Sequence, residues 1–469
     1  MIRFNKINSR CSFWTFFFTA GITSIIGTGC ANNDANQKPN FVIIFTDDQG
    51  YNDLSYFGGT HVNTPNIDQM AREGMRLTSF YVAAPVSTPS RAALMTGSYP
   101  KRVGLATGLS FIVLMPDEKV GLNPGEITIA EVLKKQGYAT GIFGKWHLGD
   151  QPEFLPTRQG FDEFFGIPYS NDMDPLNKNW DFPPLPLYEN MKVIETDPDQ
   201  DYFTKRFTER AIQFIDNHSK TPFFLYVPHP MPHRPLHTSP QYMADVSQDI
   251  KNKLDGEDGS IDYPTRDKIF SQVISELDWS VGEILDALKK NGLDNNTLVV
   301  FTSDNGPAVG SAEPLRGRKG STYEGGMRVP AIAWWPGKIP AQSESDEILN
   351  SMDLLPTFAL LAGAEIPNDR IIDGKDIWPV LSGQPGAHSP HDKFFYYKQN
   401  DLMAVRSGQW KLHRLKADSL ELFDLKNDIG EKINVIKDNP EIVQRLLEYI
   451  IDFDRELNDT ANIRPPGIL

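Results

Sequence analysis

The chain has 469 residues, 40% of them apolar and 23% charged, and a formal charge of −15. That length exceeds what one small core needs, and the composition is that of a globular protein. The acidic balance excludes general nucleic-acid binding, and an anionic ligand would need a local basic pocket to overcome it.

At the N-terminus, Arg3, Lys6 and Arg10 precede FWTFFFTAGITSIIGTG, an uncharged run that stops at Cys30 before polar ANNDANQKPN. A basic head, a short apolar stretch and small residues describe an export signal over residues 1–29. Small residues followed at once by Cys30 resemble a bacterial lipoprotein box, which predicts lipidation of Cys30 and a lipid anchor at a membrane. Gly27 stands where that box usually has leucine; a plain cleaved signal or a single anchor is the alternative. Losing the leader takes the charge from −15 to −18. Both cysteines, Cys11 and Cys30, lie here, so the body has no disulfide, cysteine zinc site or thiol nucleophile.

FVIIF (41–45) reads as a strand covered on both faces. APVSTPSRAALMTG (84–97) reads most simply as a proline turn with Ser90 capping a buried helix. TIAEVLKKQG (128–137) predicts a helix with a Thr128/Glu131 capping box and a stop at Gly137. YATGIFG, PFFLYV (222–227) and TLVVF (297–301) follow as buried strands, with a long amphipathic helix over 266–290 before the last. Alternating strands and helices predict an α/β fold with a largely parallel central sheet, over a catalytic domain spanning 38–370. From 371 to 469 the texture changes. MAVRSGQWKLHRL and LELFDL read as short antiparallel strands and PEIVQRLLEYIIDFDREL as a closing helix, a smaller α+β domain.

Two strands end alike, FVIIF in TDDQG (46–50) and TLVVF in TSDNG (302–306). Open α/β sheets keep their sites at such carboxyl ends. Asp47, Asp48, Asp304 and Asn305 can form an all-oxygen cup suited to calcium or magnesium, and without His or Cys it disfavours zinc. GKWHLG offers Lys145 and His147, MPHRPLH offers His233, and LRGRKGSTYEGG offers Lys319. Each has a dull reading alone, as a solvated lysine or a turn histidine. All follow predicted strands, so together with Arg91 they can meet the cup on one rim. Such a site holds a tetrahedral anion between a divalent ion and several cations, with histidines for proton transfer. Ser87, at a helix N-terminus, is then the candidate nucleophile.

These motifs together resemble the type I sulfatases of the alkaline phosphatase superfamily. STPSRAALMTG is similar to the signature that directs oxidation of its first residue to formylglycine. TDDQG, GKWHLG, the MPHRPL histidine, SDNG and LRGRKGSTYEGGMRVP match further motifs in order, and GIPYSNDM (166–173) resembles the arylsulfatase A and N-acetylgalactosamine-6-sulfatase branch. The resemblance implies that Ser87 becomes formylglycine (3-oxoalanine), whose hydrate attacks sulfur. Asp47, Asp48, Asp304 and Asn305 would hold Ca2+ beside it, with Asp304 helping to take the attacking proton. Lys145 and Lys319 would bind sulfate, Arg91 would support the modified residue, His233 would protonate the departing alcohol, and His147 would draw a proton to regenerate the aldehyde. Ser170, Asn171 and Asp172 would line the substrate site. Because the signature begins with serine, activation would require an anaerobic serine-type sulfatase maturase. The implied function is sulfate-ester hydrolysis, exo-acting on galactose or N-acetylgalactosamine sulfates, in the periplasm or at the surface of a bacterium. The loop 171–190, rich in Asn, Asp, Trp and Pro, can line a sugar pocket or be a plain surface loop. The rival readings are a phosphatase or phosphodiesterase using unmodified Ser87 and a lipoprotein that binds sulfated glycans without turnover.

Overall fold

The structure is a computed structural model that describes residues 37–177, 179–244, 246–250, 263–415 and 419–469. The leader, Cys11 and Cys30 lie outside the described residues. Strands β1 (Asn40–Thr46), β2 (Met75–Leu77), β3 (Ala139–Lys145), β4 (Glu163–Ile167), β5 (Pro186–Glu189), β6 (Lys192–Thr196), β7 (Phe223–Pro228), β8 (Thr297–Ser303), β9 (Ala331–Trp334) and β10 (Ser343–Ser345) build one sheet. Its order is β10-β2-β9-β8-β1-β7-β3-β4-β5-β6. The five central strands, β8 to β4, run parallel. Toward the edges β8–β9, β9–β2, β4–β5 and β5–β6 pair antiparallel. The sheet is therefore mixed: the expected parallel strands form its centre, and at one edge β10 pairs parallel with β2.

Helices cover both faces, and β1 shows why its sequence is apolar from Phe41 to Phe45. Phe41, Ile43 and Phe45 enter one core with α2 (Ser87–Thr96), α3 (Ile129–Lys134) and α7 (Leu354–Leu361). Val42 and Ile44 enter the other, with α1 (Pro65–Glu73), α4 (Phe203–Asn217) and α5 (Tyr263–Lys290). Side chains alternate across a strand, so a strand covered twice has no polar position. The capping box of α3 forms as expected, with the Glu131 amide donating to Thr128 Oγ1 (3.1 Å) and the Thr128 amide to Glu131 Oε2 (2.8 Å). Thr128→Ala is expected to cost about 1–2 kcal/mol. Urea denaturation checks it, and an unchanged midpoint would mean that packing alone holds the helix.

α2 departs from the simplest reading. It begins at Ser87, three residues before Ser90, and Val86 occupies the cap position without a side-chain hydrogen bond. Pro89 sits in the first turn, where its missing N–H costs nothing. A second sheet follows the first, formed by β11 (Phe394–Lys398), β12 (Asp401–Ser407), β13 (Trp410–Arg414) and β14 (Leu420–Asp424) in simple antiparallel order. MAVRSGQWKLHRL is thus two strands joined at Ser407–Gly408, with Gly408 at φ 57° supplying the left-handed turn. α8 (Pro440–Asn458) packs against β12 and β13, as the closing-helix reading expects. α6 (Glu324–Met327) is the short turn after the glycine-rich loop.

Candidate active site

β8, β1, β7 and β3 are consecutive and parallel, so their carboxyl ends form one rim. Thr46 is in register with Ser303, which sets TDDQG beside TSDNG. The two loops lock together: the Asp304 amide donates to Thr46 O (3.0 Å), the Asp48 amide to Asp304 Oδ1 (3.0 Å), and Asn305 Nδ2 to Asp48 Oδ1 (2.6 Å). Their glycines answer to packing, since a Cβ on Gly50 would lie 2.2 Å from Ser311 O and one on Gly306 1.8 Å from Gly325 O. Asp48 and, further along the rim, His147 are non-glycine residues at φ 64° and 61°. Left-handed backbone at such positions stores strain that surrounding structure has to hold.

Ser87, at the first position of α2, points its hydroxyl at Asp47 Oδ1 (3.2 Å) and lies 3.5 Å from Lys145 Nζ. Lys145 also pairs with Asp47 Oδ2 and donates to Ser170 Oγ (3.1 Å). One turn into the helix, Arg91 bridges Asp47 Oδ2 (3.1 Å) and Asp304 Oδ2 (2.9 Å), donates to Lys145 O (3.1 Å), and lies over the Phe45 ring. Lys319 arrives from the glycine-rich loop, where the Gly320 amide donates to Pro85 O (2.9 Å), and its ammonium bonds Asp48 Oδ2 (2.8 Å). His233 follows β7, its Nδ1 2.5 Å from Arg234 O and its Nε2 3.6 Å from Asp48 Oδ2. These side chains are buried except that of Lys319, which is 25% exposed.

Charge is distributed unevenly across this cluster. Burial works against the Asp47 carboxylate, but Lys145, Arg91, His233 and Lys319 together hold it well below the usual range. Burial and the adjacent Asp47 push Asp304 up to about 6, against the pull of Arg91. Lys145 is lowered by burial, only partly offset by Asp47, whereas for Lys319 the carboxylates of Asp48 and Asp47 outweigh burial and raise it.

His147 is the clearest proton acceptor. A backbone carbonyl accepts only, so Nε2–H donates to Leu114 O (3.0 Å), which leaves Nδ1 as the bare nitrogen. That Nδ1 is buried and has no hydrogen-bond partner. Burial, then Lys145 and Arg91, drives its pKa well below the ordinary value, so the ring is neutral near pH 7. Leu114 is a partner that sequence reasoning missed, because a carbonyl that fixes a tautomer has no side-chain signature. Phe45 beneath Arg91 was read only as core.

Ligand atoms of Asp47, Asp48 and His233 lie within 4.8 Å of one another. Next to them, Asn305 Oδ1 is buried without a hydrogen-bond partner. Carboxylates plus an orphaned amide oxygen fit a hard divalent cation. The expected set thus gains a histidine neighbour, and Asp304 turns its Oδ2 toward Arg91. Of the three expected substrate-side residues, only Ser170 touches the cluster. Asn171 is buried against Gln200 Oε1 (3.1 Å) and Pro235 O, and Asp172 accepts from Asn177 through its carbonyl (3.0 Å).

A buried serine, carboxylates, two lysines and two histidines on one sheet rim define a hydrolytic centre for a tetrahedral anion. The comparisons specify it. The sulfatase family model matches residues 39–364, and the N-sulphoglucosamine sulphohydrolase C-terminal model matches residues 318–456. Bovine (Bos taurus) arylsulfatase A is 37% identical over 479 residues, covering 92% of this chain and 89% of its own. N-acetylgalactosamine-6-sulfatase of Rattus norvegicus is 39% identical over 405 residues, covering 81% and 72%. The crystal structure of Ps i-CgsB in complex with k-i-k-neocarrahexaose superposes with a TM-score of 0.76 at 33% identity, covering 89% of this chain and 93% of that one. The chain belongs to the sulfatase family and is a sulfuric ester hydrolase.

Proposed function

We propose that this sulfatase removes sulfate from terminal galactose or N-acetylgalactosamine residues of sulfated glycans, using formylglycine made from Ser87 and a bound Ca2+. The observation that carries the reading is the convergence of Ser87, Lys145, Lys319 and His233 on the Asp47/Asp48 carboxylates, on the rim that also carries His147. When present, the formylglycine hydrate supplies the nucleophile and calcium, held by Asp47, Asp48, Asp304 and Asn305, neutralises developing charge. Lys145 and Lys319 bind and orient the sulfate oxygens. Arg91 keeps Asp47 and Asp304 in register, and Asp304 receives the proton of the attacking hydroxyl. His233, its Nδ1–H anchored on Arg234 O, presents Nε2 to the departing sugar oxygen and protonates it. His147 accepts a proton at Nδ1 in the step that frees sulfate.

The sugar assignment is supported by two relatives, one named N-acetylgalactosamine-6-sulfatase and one solved with a neocarrahexaose. The leader and Cys30 support export with a lipid anchor, to the periplasm or outer surface of a bacterium. Serine at position 87 supports dependence on an anaerobic serine-type maturase.

The test is to produce the chain with and without such a maturase and weigh the peptide carrying Ser87. Loss of two hydrogens, with sulfate released from a 6-sulfated N-acetylgalactosaminide and activity removed by chelator and restored by Ca2+, is the expected outcome. An unmodified Ser87 in fully active enzyme, or equal turnover of phosphate esters, would overturn it. His233→Gln is expected to lower kcat on the sugar sulfate by about 10²–10⁴. On nitrophenyl sulfate, whose leaving group needs no acid, the loss should be far smaller. Equal losses on both substrates would deny His233 its acid role.

A further inference from the structure

Beside the second sheet lies a cleft of ≈1050 Å3 that shares no residue with the Ser87 cluster. Its floor holds Arg406, which is 8% exposed. Arg406 is fixed by bonds from Nε to Gly408 O (2.9 Å) and from Nη1 to Ser79 Oγ (3.2 Å) and Tyr81. Its walls carry Lys393, Lys426 and Arg445. Arg445 and Tyr449 sit one turn apart on α8, and the Lys393 ammonium lies 4.0 Å over the Tyr449 ring. None of these three cations pairs with a carboxylate among the described residues. Trp410, at the start of β13, lines the same cleft half-buried.

Arg328 also lines the cleft but is paired with Glu324 (3.4 Å), so four cations, Arg406, Lys393, Lys426 and Arg445, stand against the carboxylates of Asp346, Glu347 and Asp392. Glu347 is committed to His388 Nδ1 (3.0 Å) and the Ser389 amide (2.7 Å). A positive recess on a chain of charge −15 selects for anions. The flat face of Trp410 matches the C–H face of a pyranose ring, and Asp346 and Asp392 can accept sugar hydroxyls. The volume lies just above the roughly 300–1,000 Å3 of pockets for drug-sized ligands, so several sugar units fit rather than one ion.

We infer that this cleft is a second, non-catalytic binding site for a stretch of sulfated glycan, holding the polymer while the Ser87 site works on its end. The ligand class rests on the substrate reading above. The site gives the enzyme a retention function that a lone ester does not use, and its grip weakens with added salt.

The test uses the full chain carrying Ser87→Ala, titrated calorimetrically with chondroitin 6-sulfate, desulfated chondroitin and polyglutamate. The triple variant Lys393→Ala/Lys426→Ala/Arg445→Ala is expected to bind the sulfated polymer about tenfold more weakly. Trp410→Ala, which leaves the charges in place, should weaken it as well. In matured enzyme with Ser87 intact, the same changes should raise KM for the polymer and leave a sulfated monosaccharide unaffected. Unchanged polymer affinity in the triple variant overturns the inference, as does equal binding of polyglutamate, which would mark an acidic-protein site. Failure of the sugar reading shows separately, as no sulfate release from any glycan by matured enzyme, while the binding comparison still stands.

Discussion

Ser87→Ala is expected to lower sulfate-ester hydrolysis by about 10⁴-fold or more, the scale on which enzymes lose rate when the nucleophile goes. The fold should survive. Ser87 contributes one donated bond to Asp47, worth roughly 0.5–1.5 kcal/mol, and Asp47 keeps Lys145 and Arg91. No cavity of consequence opens, because alanine already fits the first position of a helix. Sulfate release followed by ion chromatography, alongside thermal denaturation, separates the two effects. A variant that retains a tenth of the activity would show that Ser87 is not the attacking group. A variant that unfolds would leave that question to Ser87→Thr, whose hydroxyl keeps the bond to Asp47 but cannot give an aldehyde.

The largest loss of stability is expected at Lys411. Its ammonium is fully buried on β13 between Glu324 Oε1 (2.9 Å) and Glu431 Oε1 (2.8 Å). Glu324 also accepts from Tyr81 (2.5 Å) and Tyr396 (2.7 Å), and its amide donates to Glu431 Oε2 (2.7 Å). Lys411→Met strands the buried Glu431 carboxylate and leaves Glu324 with Arg328 (3.4 Å) as its ion-pair partner, at a cost of about 3–5 kcal/mol. That is a large share of the roughly 5–15 kcal/mol that holds a domain together. The loss should depend on pH. Burial already pushes Glu431 up to about 7, with Lys411 pulling down, so the folded state binds a proton that the unfolded state has released above pH ~4.5. Stability from this group is full below that pH and falls as pH rises through 7. Without Lys411 the fall should steepen, making the variant's deficit larger at pH 8 than at pH 5. Equal deficits at both values, or a deficit under 1 kcal/mol, would mean that the carboxylates find other partners. Restoring stability with Lys411→Met/Glu431→Gln would place the damage on the uncompensated charge.

The sequence announces the centre of this fold and conceals its margins, for a physical reason. β1, β3, β7 and β8 are covered on both faces, so their residues must be apolar in unbroken runs. β6 is mostly exposed, and β2, β9 and β10 are only three or four residues long, so partners rather than composition define them. α4 carries Phe203, Phe207, Ala211, Phe214 and Ile215 on one face, a readable period that the strand signals around it obscured. At the site, residue types and strand ends sufficed to gather Asp47, Asp304, Lys145, His147 and His233. The start of α2 at Ser87 was harder to see. Nothing local distinguishes a Ser90 cap from a helix that begins three residues earlier against a neighbouring carboxylate. The Glu324–Lys411–Glu431 triad was invisible, because each member is an ordinary charged residue until the second sheet brings them together.

The pairing of β1 with β8 has a consequence in time. Asp304 lies 217 residues after Ser87, so the strand that completes the rim has not been made when the serine emerges. At roughly 5–20 residues per second, that delay is about 10–40 s. In the finished protein the Ser87 hydroxyl is 2% exposed, so it is open to another enzyme only before the rim closes. On the reading proposed above, folding therefore acts as a clock on activation: delaying the pairing of β1 with β8 should lengthen the opening and raise the fraction of active molecules.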